Sequence, residues 1–169
     1  MEEDLNINNR SRDKVIHFFK ENKVKLFFLI LIIITFIVSI FIFKIYQEKQ
    51  NIKISEKYIK AGIYLSTNDE KKAKKLYEEI INSKNEFYSI LSLNTILEKG
   101  LEKDINKILN YFTKVESSTK NKENKHLINL KKALYLIKES NITEGKKLLQ
   151  DISDSNSKLK LLAKELLID

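Results

Sequence analysis

Side chains able to do chemistry are few in this sequence, and they are scattered. There are two histidines, His17 and His126, and no cysteine. Without cysteine the chain has no thiolate nucleophile, no disulfide and no sulfur ligand for a metal. The carboxylates that sit together, Asp69–Glu70 and Glu78–Glu79, are neighbours along single helix turns. Acid–base work needs two carboxyls converging from separate elements, in a cleft that sets their pKa values apart. Gly62, Gly100 and Gly145 stand alone, so no glycine-rich loop is available to cradle a phosphate. The residue types required for catalysis therefore do not meet at any spacing, and the chain reads as a non-enzyme without cofactor, metal or small-molecule substrate. What remains is binding, and the elements that could present a binding surface.

The longest feature is Leu26–Phe43, LFFLILIIITFIVSIFIF, which lacks charge and whose only polar groups are Thr35 and Ser39. At ~1.5 Å per residue the run spans roughly 27 Å, enough for the hydrocarbon core of a bilayer. Its two hydroxyls can bond to carbonyls one turn back, and Lys25 and Lys44 can snorkel toward headgroups. No small-x-small cleavage site follows it, which favours an uncleaved transmembrane anchor over a signal peptide. The anchor would place His17 and His126 on opposite sides of the membrane. Residues 1–25 read as a basic, partly disordered tail. Within it residues 1–9 are acidic and then amide-rich, and Val15, Ile16, Phe18 and Phe19 make a ragged apolar patch.

The rest, residues 44–169, is helical throughout. With no proline and three glycines, a turn-rich β fold lacks its usual punctuation. The anchor helix is expected to run on to about residue 66, where Thr67–Asp69 end it. Helices are then expected over 69–83, 86–99 and 101–115, with a left-handed cap at Gly100. The polar run SSTKNKENK (117–125) is read as the only long loop, and helices follow over 126–140, 143–153 and 157–168. The net charge is +8. It comes from lysines interleaved with glutamates, without aromatic platforms, so it reads as a solvated face, with anionic lipid as a secondary contact and no nucleic acid.

The helices come in pairs, and the pairs repeat. Ala61-x2-Tyr64, Ala73-x3-Tyr77 and Ile80 recur 32 residues on as Leu93, Ile96, Ile105, Leu109 and Phe112. They recur again 72 residues on as Ala133, Leu136, Gly145, Leu149 and Ile152. The first step is near the period of about 34 expected for a tetratricopeptide repeat. Small residues let the helices of a pair approach, and the larger residue four positions on fills the space between pairs. Pair two has bulky residues at both small positions and is expected to splay. The closing helix 157–168 would cap the array.

An N-terminal tail, one anchor and a short tetratricopeptide-like array together resemble the ancillary subunit family of the Sec translocon. The segment from Lys44 to Ser83 carries that resemblance most clearly. The fold it implies is all-α, one transmembrane helix followed by a repeat array. The implied partners are the Sec translocon, periplasmic chaperones or exported proteins. In such arrays the first helices of the pairs line a groove, which by register would present Tyr58, Gly62 and Leu65, then Phe87, Ile90 and Asn94, then Leu127, Leu130 and Leu134. Asn94 could bond a peptide backbone or be satisfied by a neighbouring carbonyl, and the apolar members could equally be core. Arg10, Arg12, Lys14, Lys20, Lys23 and Lys25 precede the anchor. They slightly favour a cytoplasmic tail and a periplasmic domain at a bacterial inner membrane. The alternative is a structural membrane stalk or assembly subunit of a larger membrane complex, such as a rotary ATP synthase arm; a stalk would need one unbroken helix with sustained heptads.

Overall fold

The computed structural model describes His17 and residues 22–168. The readings made for residues 1–9, for the Val15–Phe19 patch, and for Arg10, Arg12, Lys14 and Lys20 lie outside the described residues. Among the described residues there are seven long helices and no strand. The chain divides into two units, Met1–Lys49 and Gln50–Asp169.

Helix α1 (Lys23–Ser66) begins in the first unit. It is long and apolar enough to cross a membrane. Its side chains from Phe27 to Phe43 are exposed, as expected of a surface made for lipid. Thr35 and Ser39 donate to the carbonyls of Leu31 and Thr35, each at 2.8 Å. Neither hydroxyl therefore needs water.

The second unit comprises the end of α1 and six further helices: α2 (Glu70–Asn82), α3 (Glu86–Glu98), α4 (Ile105–Ser118), α5 (Lys122–Lys138), α6 (Ile142–Asp154) and α7 (Lys160–Ile168). They form three hairpins, α1–α2, α3–α4 and α5–α6, followed by α7. The first helix of each hairpin ends in the same Schellman turn. The N–H of Asp69, Leu101 and Asn141 returns to the carbonyl of Tyr64, Ile96 and Leu136 at 2.8, 3.0 and 2.8 Å. A left-handed residue precedes each closing N–H: Asn68, Gly100 and Ser140, with φ of 59°, 61° and 66°. The three turns coincide with the residues aligned by the repeat spacing, so the register of the first helices stands.

The register of one second helix does not. In hairpins one and three the cap residue, Asp69 or Asn141, follows the left-handed residue directly. In hairpin two Leu101, Glu102 and Lys103 intervene before the cap Asp104, whose carboxylate accepts from the Asn106 and Lys107 N–H groups. The three extra residues shift α4 by almost one turn. Ile108, not Ile105, stands where Ala73 and Gly145 stand, and Phe112, not Leu109, takes the place of Tyr77 and Leu149. Ile108, Phe112 and Val115 are buried, whereas Ile105 and Leu109 are half-exposed. The added turn is fastened by Glu102, a carboxylate with only 7% exposure, which lies 2.6 Å from the Lys74 ammonium of α2 and 3.6 Å from Lys107.

The long loop is also absent. Only Thr119, Lys120 and Asn121 separate α4 from α5. Asn121 caps α5 by accepting from Glu123 and Asn124 N–H, and the buried Thr119 hydroxyl bonds the Val115 carbonyl at 2.8 Å. Low hydrophobicity predicts a loop here, but serine, lysine, glutamate and asparagine all extend a helix once caps are present and one face is packed. The wider second step of the repeat has three sources: α5 has 17 residues where α3 has 13, α4 has 14 where α2 has 13, and the Leu101–Lys103 turn is added.

The hairpins are joined by a recurring clasp. Glu86, first residue of α3, accepts from the Lys120 N–H at 3.0 Å and from the Asn124 amide at 3.0 Å. Glu123 at the start of α5 accepts from the Ser157 hydroxyl at 3.0 Å and the Lys158 N–H at 3.1 Å. Asn51 of α1 accepts from the Asn85 amide at 2.7 Å. Each clasp ties one first helix to the chain entering the next, 34 to 38 residues on. Helix α7 occupies the following first-helix place, with Ala163 buried. It is shorter than the 157–168 expected, and it leaves Leu161, Leu162 and Ile168 exposed rather than presenting a polar outer surface.

Two tests follow from this packing. A Cβ on Gly145 would lie 2.5 Å from Ile137 Cγ1 and 2.8 Å from the Ala133 carbonyl oxygen, whereas one on Gly62 would meet nothing within 4 Å. Gly145→Ala should therefore lose about 1–3 kcal/mol through overpacking, and Gly62→Ala should gain about 0.5–1 kcal/mol in helix propensity; urea unfolding reads both. The Lys74 ammonium, aided by the Asp104 N–H, holds the Glu102 carboxyl at about 2. A lowered folded pKa gives stability that is complete above the unfolded value of ~4.5 and lost as pH falls toward 2. Glu102→Gln should be less stable than the parent at pH 7, and the difference should shrink between pH 4.5 and 2.

Candidate protein-binding face

The first helices form one layer. Tyr58 of α1 shares a 3.3 Å hydrogen bond with Thr95 of α3, and Lys131 of α5 donates to the Asn94 Oδ1 of α3 at 2.7 Å. Helix α3 thus lies between α1 and α5. The inward positions of the layer are Ala61, Leu93 and Ala133, all buried. Each first helix also carries apolar side chains that are open to solvent. Ile52, Ile59 and Ile63 on α1 are 52%, 62% and 56% exposed. Their spacing of seven and then four residues holds them on one helical face, away from Ile54 and Ala61. Phe87 on α3 is 63% exposed, and Leu127 and Leu134, seven apart on α5, are 38% and 41% exposed.

By the repeat register Ile59 matches Lys131 and Ile63 matches Thr95, residues that contact the preceding first helix, so the α1 isoleucines lie on the open end of the layer. Phe87, Leu127 and Leu134 form a separate apolar band on α3 and α5, and beside it lies one polar pair, Asn94 with Lys131. Exposed apolar side chains grouped in this way are available to a partner. Among the described residues, no group of three or more histidine, aspartate and glutamate side chains could hold a metal.

The structure sorts the nine sequence-derived groove residues. Phe87, Leu127 and Leu134 are exposed on the layer, and Asn94 lies seven residues from Phe87 on the same side of α3. Its acceptor oxygen goes to a lysine ammonium, which is neither of the roles considered for it. Tyr58 instead turns inward, edge-on to Tyr77 with ring centroids 5.6 Å apart and 5.7 Å from the Tyr88 ring. Leu65 and Ile90 pack against the core of the first two hairpins. Leu130 is buried in the second core with Ala133, Leu149 and Ala163. Gly62 is half-buried. On α1 the exposed apolar side chains are Ile52, Ile59 and Ile63, a second stripe spaced like the inward one.

Hairpins of 30 to 40 residues, stacked by clasps at a near-constant interval, define a helical-hairpin repeat protein whose function is to present a surface. The chain belongs to the tetratricopeptide repeat-like domain family, whose profile matches residues 16–164. Comparison with curated proteins and with solved structures finds no match.

The sorting can be checked by stability alone. Ile59→Ser, Phe87→Ser and Leu134→Ser should each stay within about 0.5 kcal/mol of the parent. Leu130→Ala and Tyr77→Ala should lose about 2–5 kcal/mol by opening the cores. Chemical unfolding of each variant separates the two sets.

Proposed function

We propose that this protein is a membrane-anchored interaction module that assists exported polypeptides as an ancillary subunit of the Sec translocon. In this reading α1 is an uncleaved anchor over 26–43, the tail 1–25 is cytoplasmic, and the repeat domain, residues 44–169, works on the periplasmic side of a bacterial inner membrane. The exposed apolar band of Phe87, Leu127 and Leu134 carries the proposal, because it offers unfolded or partly folded chains the apolar contact they lack. Membership of the tetratricopeptide repeat-like family supports an interaction role. The resemblance of the tail–anchor–array order to translocon ancillary subunits supplies the partners: the channel, periplasmic chaperones or exported proteins. The stalk reading gains no support, since α1 ends in a Schellman turn at Ser66 instead of continuing as a heptad helix.

Photo-crosslinking from Phe87, Leu127 and Leu134 in native membranes should yield adducts with channel subunits, chaperones or exported chains. Ile142 on α6, equally exposed but off the layer, should yield few. Adducts confined to lipid or to the protein itself would remove the export role. A protease admitted through a permeabilised outer membrane should digest residues 44–169, and protection of that domain would reverse the orientation.

A further inference from the structure

Away from the apolar band, the flank of the first hairpin holds an open pocket of about 270 Å³. Lys60 and Tyr64 of α1 and Lys72, Lys75, Leu76 and Glu79 of α2 line it. Its one carboxylate is already engaged, since Glu79 lies 2.6 Å from the Lys57 ammonium. Lys72 is held at the rim by Asp69, at 2.6 Å, and its ammonium stands 5.3 Å from the centre of the Tyr64 ring. Among the described residues neither Lys60 nor Lys75 forms an ion pair. The lining thus holds three ammonium groups, Lys60, Lys72 and Lys75, against one carboxylate, Glu79, on which Lys75 also acts electrostatically, beside an aromatic and an aliphatic wall.

The surplus of positive charge suits an anion. Ammonium groups are compact charges with three diverging donors and bind phosphate as point charges. The chain has no arginine beyond Arg12. Tyr64 and Leu76 can cover a short carbon chain attached to the anion, and the volume admits a group of that size. We propose that this pocket binds a phosphate ester, with Lys60 and Lys75 on the phosphate oxygens and Tyr64 and Leu76 against the attached carbon chain. The same chemistry is offered by a free phosphate ester and by the headgroup of an anionic phospholipid.

The full chain in a phosphate-free maltoside detergent should be titrated by calorimetry with glycerol 3-phosphate, with short-chain phosphatidylglycerol and with glycerol as the uncharged control. Saturable binding of both phosphates, and not of glycerol, supports a site for the phosphate group itself. Saturable binding of the lipid alone supports a headgroup site. In either case Lys60→Gln/Lys75→Gln should weaken binding at least about tenfold with an unchanged unfolding temperature, because both side chains are exposed. The charge reversal Lys60→Glu/Lys75→Glu should abolish it. Absence of saturable binding by either phosphate, or undiminished binding in the double variant, overturns the assignment.

Discussion

A helical hairpin cannot hide its own apolar surface, and the repeat domain is built around that constraint. Closing α1 on α2 or α5 on α6 covers one stripe on each helix but leaves the sides that face the neighbouring pair. Those sides hold Tyr77, Phe112 and Leu149, the large residues between pairs, and burying each saves about 1.5–3 kcal/mol only when the next hairpin is in place. Stability is thus a property of neighbours more than of single pairs. The close approach of Gly145 to the Ala133 carbonyl, and the complete burial of the small residues Ala61 and Ala73, serve the same end. Small residues bring the backbones near enough for the larger ones to fill the gaps between pairs.

Hairpin two meets this constraint differently. With Leu93 and Ile108 at the positions held elsewhere by alanine or glycine, its helices cannot approach as closely as those of hairpin three, where Gly145 lies against the Ala133 carbonyl. The turn between them is longer, and Glu102 fastens it to α2 through Lys74. A nearly buried carboxylate is costly unless paired and hydrogen-bonded, and Glu102 also accepts from the Lys103 and Asp104 N–H groups at 2.8 and 3.0 Å. The ion pair substitutes for packing that bulky side chains prevent.

Much of this was legible in the sequence. Periodic apolar residues marked the helices, the scarcity of glycine and proline excluded a β fold, and Ala61, Ala133 and Gly145 marked the close contacts. Three features were not legible, each for a physical reason. Leu101 looks like the first residue of a helix, and only the capping geometry at Asp104 shows that it belongs to the turn. The polar run after Ser117 lacks the apolar pattern by which a helix is recognised, yet Asn121 is a strong cap and α5 begins directly after it. On α1 Ala61 marked the core stripe, but a tyrosine beside it suits a groove and a core equally, so periodicity alone could not place Tyr58. The answer came from Tyr58, whose hydroxyl and ring are both used inside the array.

The clasps have a consequence for how such a chain can change over generations. At two joints the acceptor is one carboxylate, Glu86 or Glu123, and a principal donor is a main-chain N–H, that of Lys120 or Lys158. Any residue but proline provides that donor, so the joint makes almost no demand on the identity of the entering loop. A duplicated segment of about one repeat would bring its own carboxylate and find its own N–H, and a lost one would leave the flanking joints able to close on each other. Arrays of this kind can therefore lengthen or shorten by recombination without redesign of the contacts, while the outward face of each first helix diverges to suit a new partner.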